Sequence, residues 1–268
     1  MVDINAYFRR IGYSGSCEPS VASLHALSAA HVQSIPFENL DVLLGLGVDL
    51  DPEVVDRKIL HSGRGGYCFE QNTLFLRALQ TLGFDARPLS ARVRIQHPRD
   101  YTPPRTHMFL RVDLEGASWL ADAGMGALSL TAALRLDTDF EQATPHEPRR
   151  IVRDDGRYFH QVRFADGWHD ACEFTLEEMP PIDREIANWF TSAHPQSHFK
   201  SRLVVARAIR DGRVSILNRE LTVRRAGIAQ TRALASPVEL LAVLAEHFDL
   251  HFPSGTEFSC PALDWPIG

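Results

Sequence analysis

Apolar positions in the first ~85 residues recur at helical spacing. After Pro19-Ser20, Val21, Leu24 and Leu27 return every three residues, with Ala22, Ala26, Ala29 and Ala30 between and beyond them. That pattern predicts a helix. Asp51-Pro52 sets a capping residue before a first-turn proline, so a second helix is expected to run to about Ser62, before Gly63. A third begins around Cys68, carries Phe69, Leu74, Leu76, Leu79 and Leu82, and ends at Gly83.

From about residue 85 the period changes to two. Leu89, Ala91, Val93 and Ile95 alternate with polar residues, as do Met108, Leu110 and Val112, and Trp119-Leu120 follow Glu115-Gly116. Residues 90 to ~175 therefore read as antiparallel strands. Pro98 to Pro104 is a proline-rich loop, and Asp154-Asp155-Gly156 and Asp166-Gly167 are turn signals. Helix returns at 181–193. Segments 202–210 and 213–217 flank Asp211-Gly212, a type I′ hairpin signal. Ser236-Pro237-Val238-Glu239 reads as a capping box that opens a last helix through Phe248. The order of helical, β and mixed stretches predicts an α+β fold with two or three subdomains.

With 268 residues, 44% hydrophobic and 23% charged, the chain can bury a sizeable core. A net charge of −6 leaves no global basic field for nucleic acid or an anionic membrane. The longest aliphatic run is Leu240 to Ala245, far short of a spanning helix. No secretory leader is visible in MVDINAYFRR, so a reducing compartment is expected. Cys17, Cys68, Cys172 and Cys260 form no CxxC pair and are expected as thiols. His194 and His198 lack a cysteine or carboxylate partner at ligand spacing, so no metal site is expected, and His160 and His169 read as ordinary β-region residues.

The most informative stretch is Arg64-Gly65-Gly66-Tyr67-Cys68-Phe69-Glu70-Gln71-Asn72. Two glycines permit a tight lead into a helix, and Cys68 falls at or near its N-terminus. Unpaired N–H groups and the macrodipole there favour an anion, which suits a nucleophilic thiolate. A buried structural thiol fits the same residues, and is the reading for Cys17, Cys172 and Cys260.

A thiolate nucleophile needs an imidazole and an orienting group. If 107–114 and 117–124 form a hairpin closed by Glu115-Gly116, opposed positions sum to 231. His107 then faces Gly124, Phe109 faces Asp122, and His107 and Asp122 become diagonal neighbours on one face, about 7–8 Å apart. Met108, Leu110 and Val112 take the other face. A surface strand histidine and a turn aspartate fit the same spacing.

These segments resemble the arylamine N-acetyltransferase family: RGGYCFEQN at 64–72, RTHMFL at 105–110, LADAGMG at 120–126, SIPFENLD at 34–41 and NWFTSAHPQSHF at 188–199 with LVVAR at 203–207. The resemblance implies a cysteine-protease-like triad of Cys68, His107 and Asp122. It also implies an N-terminal helical bundle (1–85), an antiparallel β-barrel (86–190) and a C-terminal α/β lid (191–268). Acetyl-CoA is implied as donor, with arylamines, arylhydrazines or N-hydroxyarylamines as acceptors, in the cytoplasm and without a metal. Phe37 matches a pocket position of the family, and Thr106 stands beside His107 on the substrate side. Where the family carries a DVGFG-like loop, this chain has Asp122-Ala123-Gly124-Met125-Gly126, and Met125 stacks less well on a flat ring than Phe. Gly124 and Gly126 are placed to let backbone approach the pantetheine of CoA. Arg64 and Glu38 are expected to pair and brace the Cys68 loop. Lys200 and Arg202 are weaker candidates for the CoA phosphates.

The expected chemistry is ping-pong acyl transfer through an acetyl-cysteine. An amide synthase of the same family, closing a polyketide macrolactam, would use the same triad. A papain- or transglutaminase-like hydrolase and a catalytically silent CoA-binding module are the readings from other classes.

Overall fold

In the computed structural model, which describes residues 1–137 and 139–265, the N-terminal third is mostly helical. It comprises α1 (Ile4–Ile11), α2 (Val21–Ser34), the two-residue strand β1 (Phe37–Glu38), α3 (Leu40–Leu43), α4 (Pro52–Asp56) and α5 (Cys68–Thr81). Ser20 caps α2 by accepting from Ser23 N, and Asp51 caps α4 by accepting from Glu53 N. The single helix expected from Asp51 to Ser62 is instead α4 continued by a π turn over Arg57–His61. Such turns cluster at functional sites.

Strands β2 (Asp85–Val93), β3 (His107–Leu114), β4 (Ala117–Ala121), β5 (Leu134–Arg135), β6 (Arg149–Asp154), β7 (Arg157–Phe164) and β8 (Gly167–Glu178) form one antiparallel sheet in the order β5-β4-β3-β2-β8-β7-β6. Gln142 draws its edges together. Its side chain exchanges hydrogen bonds with Arg135 in β5 (2.8 and 3.0 Å), and its backbone pairs with Arg149 in β6. The β3–β4 hairpin has the expected register, Leu110 against Ala121 and Leu114 against Ala117. Glu115 and Gly116 both take positive φ, as a two-residue primed turn requires. Alternation along β3 then splits its side chains. Met108, Leu110 and Val112 pack with α5, while Phe109 joins the barrel interior with Leu89, Leu120 and Phe174.

The rest of the chain adds α6 (Pro181–Ala193), α7 (His198–Ser201), β9 (Val204–Ile209), β10 (Gly212–Leu217), β11 (Glu220–Arg225), β12 (Ile228–Ala233) and α8 (Pro237–Phe248). Its sheet runs β1-β9-β10-β11-β12, so β1, from the helical third, forms one edge of the C-terminal sheet. Two local expectations fail. The β9–β10 turn is Arg210-Asp211, because Gly212 already pairs with Ile209, and neither turn residue has positive φ. Gly212 is glycine for another reason, since a Cβ there would lie 1.8 Å from Arg224 O on β11. At α8, Ser236 caps by accepting from Glu239 N, but the Glu239 carboxylate turns to Ala235 N and Arg232, leaving half a capping box.

No helix among the described residues is long and apolar enough to cross a membrane. All four cysteines are free. Cys172 is buried as expected, but Cys17 is exposed in the α1–α2 connection and Cys260 only half-buried in the C-terminal segment, so neither is a core thiol.

Candidate active site

Cys68 is the first residue of α5. The approach to it is held by backbone. Gly66 N donates to Pro36 O (3.3 Å), and Glu38 N donates to Gly66 O (3.0 Å), so the Gly-Gly segment lies against residues 36–38. Tyr67 precedes the helix. Its N–H donates to Glu70 Oε2 (3.0 Å), and its hydroxyl donates to Asn188 Oδ1 on α6. Phe69 and Leu76 anchor the helix in the core it shares with β3. Cys68 Sγ thus comes within 3.6 Å of Thr106 O, at the start of β3.

His107 opens β3 and Asp122 follows β4. His107 Nε2 lies 2.7 Å from Asp122 Oδ2, and the Cys68 side chain is near enough to favour the charged imidazole. Exposure is 3%, 2% and 1% for Cys68, His107 and Asp122. Burial disfavours an imidazolium, but the Asp122 charge, the hydrogen bond to Asp122 and the nearby Cys68 outweigh it and push the His107 pKa up to about 10. Burial likewise works against the Asp122 carboxylate. His107, Asn72 and the Gly124 amide overcome it and hold its pKa below the ordinary value. Asp122 is thus ionised and His107 protonated at neutral pH.

Asn72 completes this arrangement and was not among the expected site residues. Its Nδ2 donates to Asp122 Oδ1 (3.0 Å) and Met108 O (2.7 Å), and its Oδ1 accepts from Ala123 N (2.9 Å). Asn72 lies one helical turn after Cys68, on the same face, a spacing that could have found it. Gly124 seats the loop after Asp122 against α5. A Cβ there would lie 2.5 Å from Cys68 Cα and 2.7 Å from Asn72 Nδ2, which is a packing reason for the glycine. Phe37 is buried, with its ring 5.9 Å from that of Phe199 and beside Gly126. Met125 is half-buried against the barrel interior.

Arg64 and Glu38 do pair, with Arg64 Nε and Nη2 at 3.0 and 2.7 Å from Glu38 Oε1. They belong to a larger group. Arg64 also reaches Asp41, and Lys58, on the π turn, joins Asp41 to Glu70 at 2.6 Å each. Burial opposes the Lys58 charge, but Glu38, Glu70 and Asp41 hold its pKa well above the ordinary value. Arg10 fixes the loop from below, donating to the carbonyls of Ile59, Ser34, Gly63 and Arg64. Lys200 and Arg202 are exposed. His194 stacks on Phe190. Among the described residues, no group of three or more His, Cys, Asp or Glu is placed to hold a metal.

A buried sulfur at a helix N-terminus, beside an imidazolium held by a carboxylate, has the parts of a nucleophile with its own proton carrier. The N-acetyltransferase family model matches residues 20–256. The chain is 39% identical to the arylamine N-acetyltransferase of Escherichia coli K12 over 249 residues, covering 92% of this chain and 88% of that one. It is 40% identical to the arylamine N-acetyltransferase of Mycolicibacterium smegmatis over 255 residues, 93% and 92% of the two chains. Solved structures agree. That of the M. tuberculosis arylamine N-acetyltransferase superposes with a TM-score of 0.89 at 39% identity over 92% and 93% of the chains. That of the Mycobacterium marinum protein in complex with CoA gives 0.89 at 35% identity over 92% of each.

Proposed function

The chain belongs to the arylamine N-acetyltransferase family of acyltransferases, and on that premise we propose that Cys68 carries an acetyl group from acetyl-CoA to the nitrogen of an arylamine or arylhydrazine. The observation that supports this reading most directly is the buried constellation of Cys68, His107 and Asp122, with His107 hydrogen-bonded to Asp122 and Cys68 Sγ 3.6 Å from the carbonyl of Thr106, the residue before His107.

In the proposed cycle the Cys68 sulfur is the nucleophile and His107 its proton carrier. In the first half-reaction the Cys68 sulfur attacks the thioester carbonyl carbon of acetyl-CoA. The bond from that carbon to the CoA sulfur breaks, the CoA sulfur takes the proton from His107, and CoA leaves as a thiol. Acetyl-Cys68 and a neutral imidazole remain. In the second half-reaction the amine nitrogen attacks the acetyl carbon and His107 accepts a proton from it. The carbon–Sγ bond breaks and returns its electron pair to Cys68. Asp122 stabilises the imidazolium at both ends of the cycle and fixes the ring through Nε2. Each tetrahedral oxyanion needs donors. The Cys68 amide, at the start of α5 where the helix offers no acceptor, is the one nearest the sulfur.

An aromatic amine suits this cycle because its nitrogen is neutral, and so nucleophilic, near pH 7, whereas an alkyl amine is mostly protonated. Phe37, Thr106, Met125 and Gly126 border the reacting sulfur or the loop after Asp122 and form the proposed acceptor side. Gly124 seats the loop. Arg64 and Glu38 act as support.

Intact-protein mass spectrometry after incubation with acetyl-CoA tests the reading. Wild type should gain one acetyl group and lose it on adding an arylamine or a small arylhydrazine, and Cys68→Ser should gain none. Acetylation of the variant, or no acetylation of wild type, would overturn the assignment.

A further inference from the structure

The segment between β2 and β3, residues 94–106, has no helix or strand of its own. A connection that long is uncommon in a compact domain and usually functional. This one is organised around arginines that donate to its carbonyls. Arg94 is 2% exposed and uses every face of its guanidinium. Its Nε (2.7 Å) and Nη2 donate to Glu173 Oε2 on β8, and its Nη1 donates to Pro98 O (2.6 Å) and Tyr101 O (2.5 Å). Arg92 Nη1 donates to Pro103 O (2.5 Å). Arg99 lies over the Phe159 ring, 3.9 Å from its centroid, and pairs with Asp154 and Asp170. A buried cation is costly unless its donors are all used. An apolar side chain at 94 would fill the space without that cost, but it could not hold two carbonyls.

The turn that opens the segment is strained. His97 N donates to Arg94 O (2.9 Å), closing a turn in which Gln96 takes a φ of +65°. A positive φ at that position favours glycine, and a strained residue persists where its surroundings hold it. The other end of the segment belongs to the reacting site. Thr106 N donates to Pro104 O (3.0 Å), Thr106 O lies 3.6 Å from Cys68 Sγ, and His107 follows at the start of β3. We propose that Arg94 is a positioning residue for acetyl transfer. By pinning the 94–106 segment to Glu173 on β8, it fixes Thr106 against Cys68 and the entry of His107 into β3. Arg94 acts through the backbone it holds, and the inference rests on the acetyl-transfer reading of Cys68.

Two variants separate positioning from stability. Arg94→Met breaks the buried pair from one side, so the urea midpoint should fall, and the carbonyls of Pro98 and Tyr101 lose their donor. Adding Glu173→Met removes the stranded carboxylate and should recover most of the midpoint, yet it gives those carbonyls no new donor. Single-turnover acetylation of Cys68 by acetyl-CoA, followed by intact-protein mass spectrometry well below each unfolding midpoint, should be about 10²-fold slower than wild type in both, the scale of a misplacement of about 1 Å. Arg94→Lys, which keeps the charge without the planar fork, should fall between. A double variant that recovers its rate along with its midpoint would show that the pair only stabilises the fold, and would overturn the proposal. So would an Arg94→Met enzyme acetylated at the wild-type rate. A wild type that takes up no acetyl group would overturn the acetyl-transfer reading, and this inference with it.

Discussion

Asn72 ties three things to one amide: the Asp122 carboxylate, the Met108 carbonyl on β3 and the Ala123 amide beyond β4. It therefore sets where the carboxylate sits relative to His107. The carboxylate in turn is the largest influence holding the proton on His107 against burial. Asp122→Asn should remove that influence, and burial alone then drives the imidazole toward its neutral form. We expect a loss of about 10³–10⁴-fold in kcat/KM, the scale seen when a triad carboxylate becomes an amide. Asn72→Ala leaves every reacting group in place and only loosens Asp122. A displacement of about 1 Å would cost about 10²-fold. Acetylation of a colorimetric arylamine measures both. An Asp122→Asn enzyme within tenfold of wild type would contradict the role given to the carboxylate.

At the scale of elements, what sequence could show depended on whether the contact was local. The His107–Asp122 pairing was legible because a hairpin register is arithmetic, and the β3–β4 register came out as counted. Cys68 at a helix start was legible from its glycines and the apolar run after it. The support beneath it was not. Arg64 and Glu38 were visible as a pair only through the family resemblance, and Asp41, Lys58 and Glu70 not at all, because a π turn aims Lys58 at partners on α3 and α5. Periodicity cannot distinguish an α turn from a π turn. Asp211-Gly212 was misread because the glycine answers to a neighbouring strand and not to the turn. The buried group also carries a prediction. Three carboxylates share two cations, and Arg64→Ala would leave Glu38 and Asp41 with Lys58 alone. Breaking a buried pair from one side costs about 3–5 kcal/mol, and partial exposure of Arg64 places this case near about 3 kcal/mol. Urea unfolding would register it as a lower midpoint, with Arg64→Lys recovering part of the loss. An unchanged midpoint for Arg64→Ala would show that the group is not bracing the loop.

Across the whole molecule, the helical third and the barrel each bury a neutral histidine other than His107. His31 on α2 hydrogen-bonds the Tyr7 hydroxyl through Nδ1 (2.9 Å) and donates from Nε2 to Gln71 Oε1 (2.7 Å), the Gln71 amide nitrogen being engaged by Pro36 O and Gly66 O. Burial lowers its pKa to about 4. His160 in β7 faces Cys172 and the Arg149 guanidinium, and burial with that neighbouring cation lowers its pKa to about 3. Both folded values lie below the unfolded value near 6.5. Above about pH 6.5 neither form binds a proton at these sites, and no penalty arises. As pH falls, the unfolded chain takes up protons that the folded chain refuses, so stability is lost between pH 6.5 and the folded values. By about pH 5 each histidine should have cost about 2 kcal/mol relative to pH 7.5. Urea unfolding at the two pH values measures the sum. The double variant His31→Gln, His160→Gln should start less stable at pH 7.5 but lose about 4 kcal/mol less on acidification. A double variant that acidifies along the wild-type curve would show that other groups govern unfolding in acid. His107 has the opposite sign. Its folded pKa near 10 lies above the unfolded value, so its share of stability is complete below about pH 6.5 and disappears as pH rises through about 10. His107 thus limits the fold on the alkaline side and His31 and His160 on the acid side, which places greatest stability near neutrality, where His107 is charged and the other two are not.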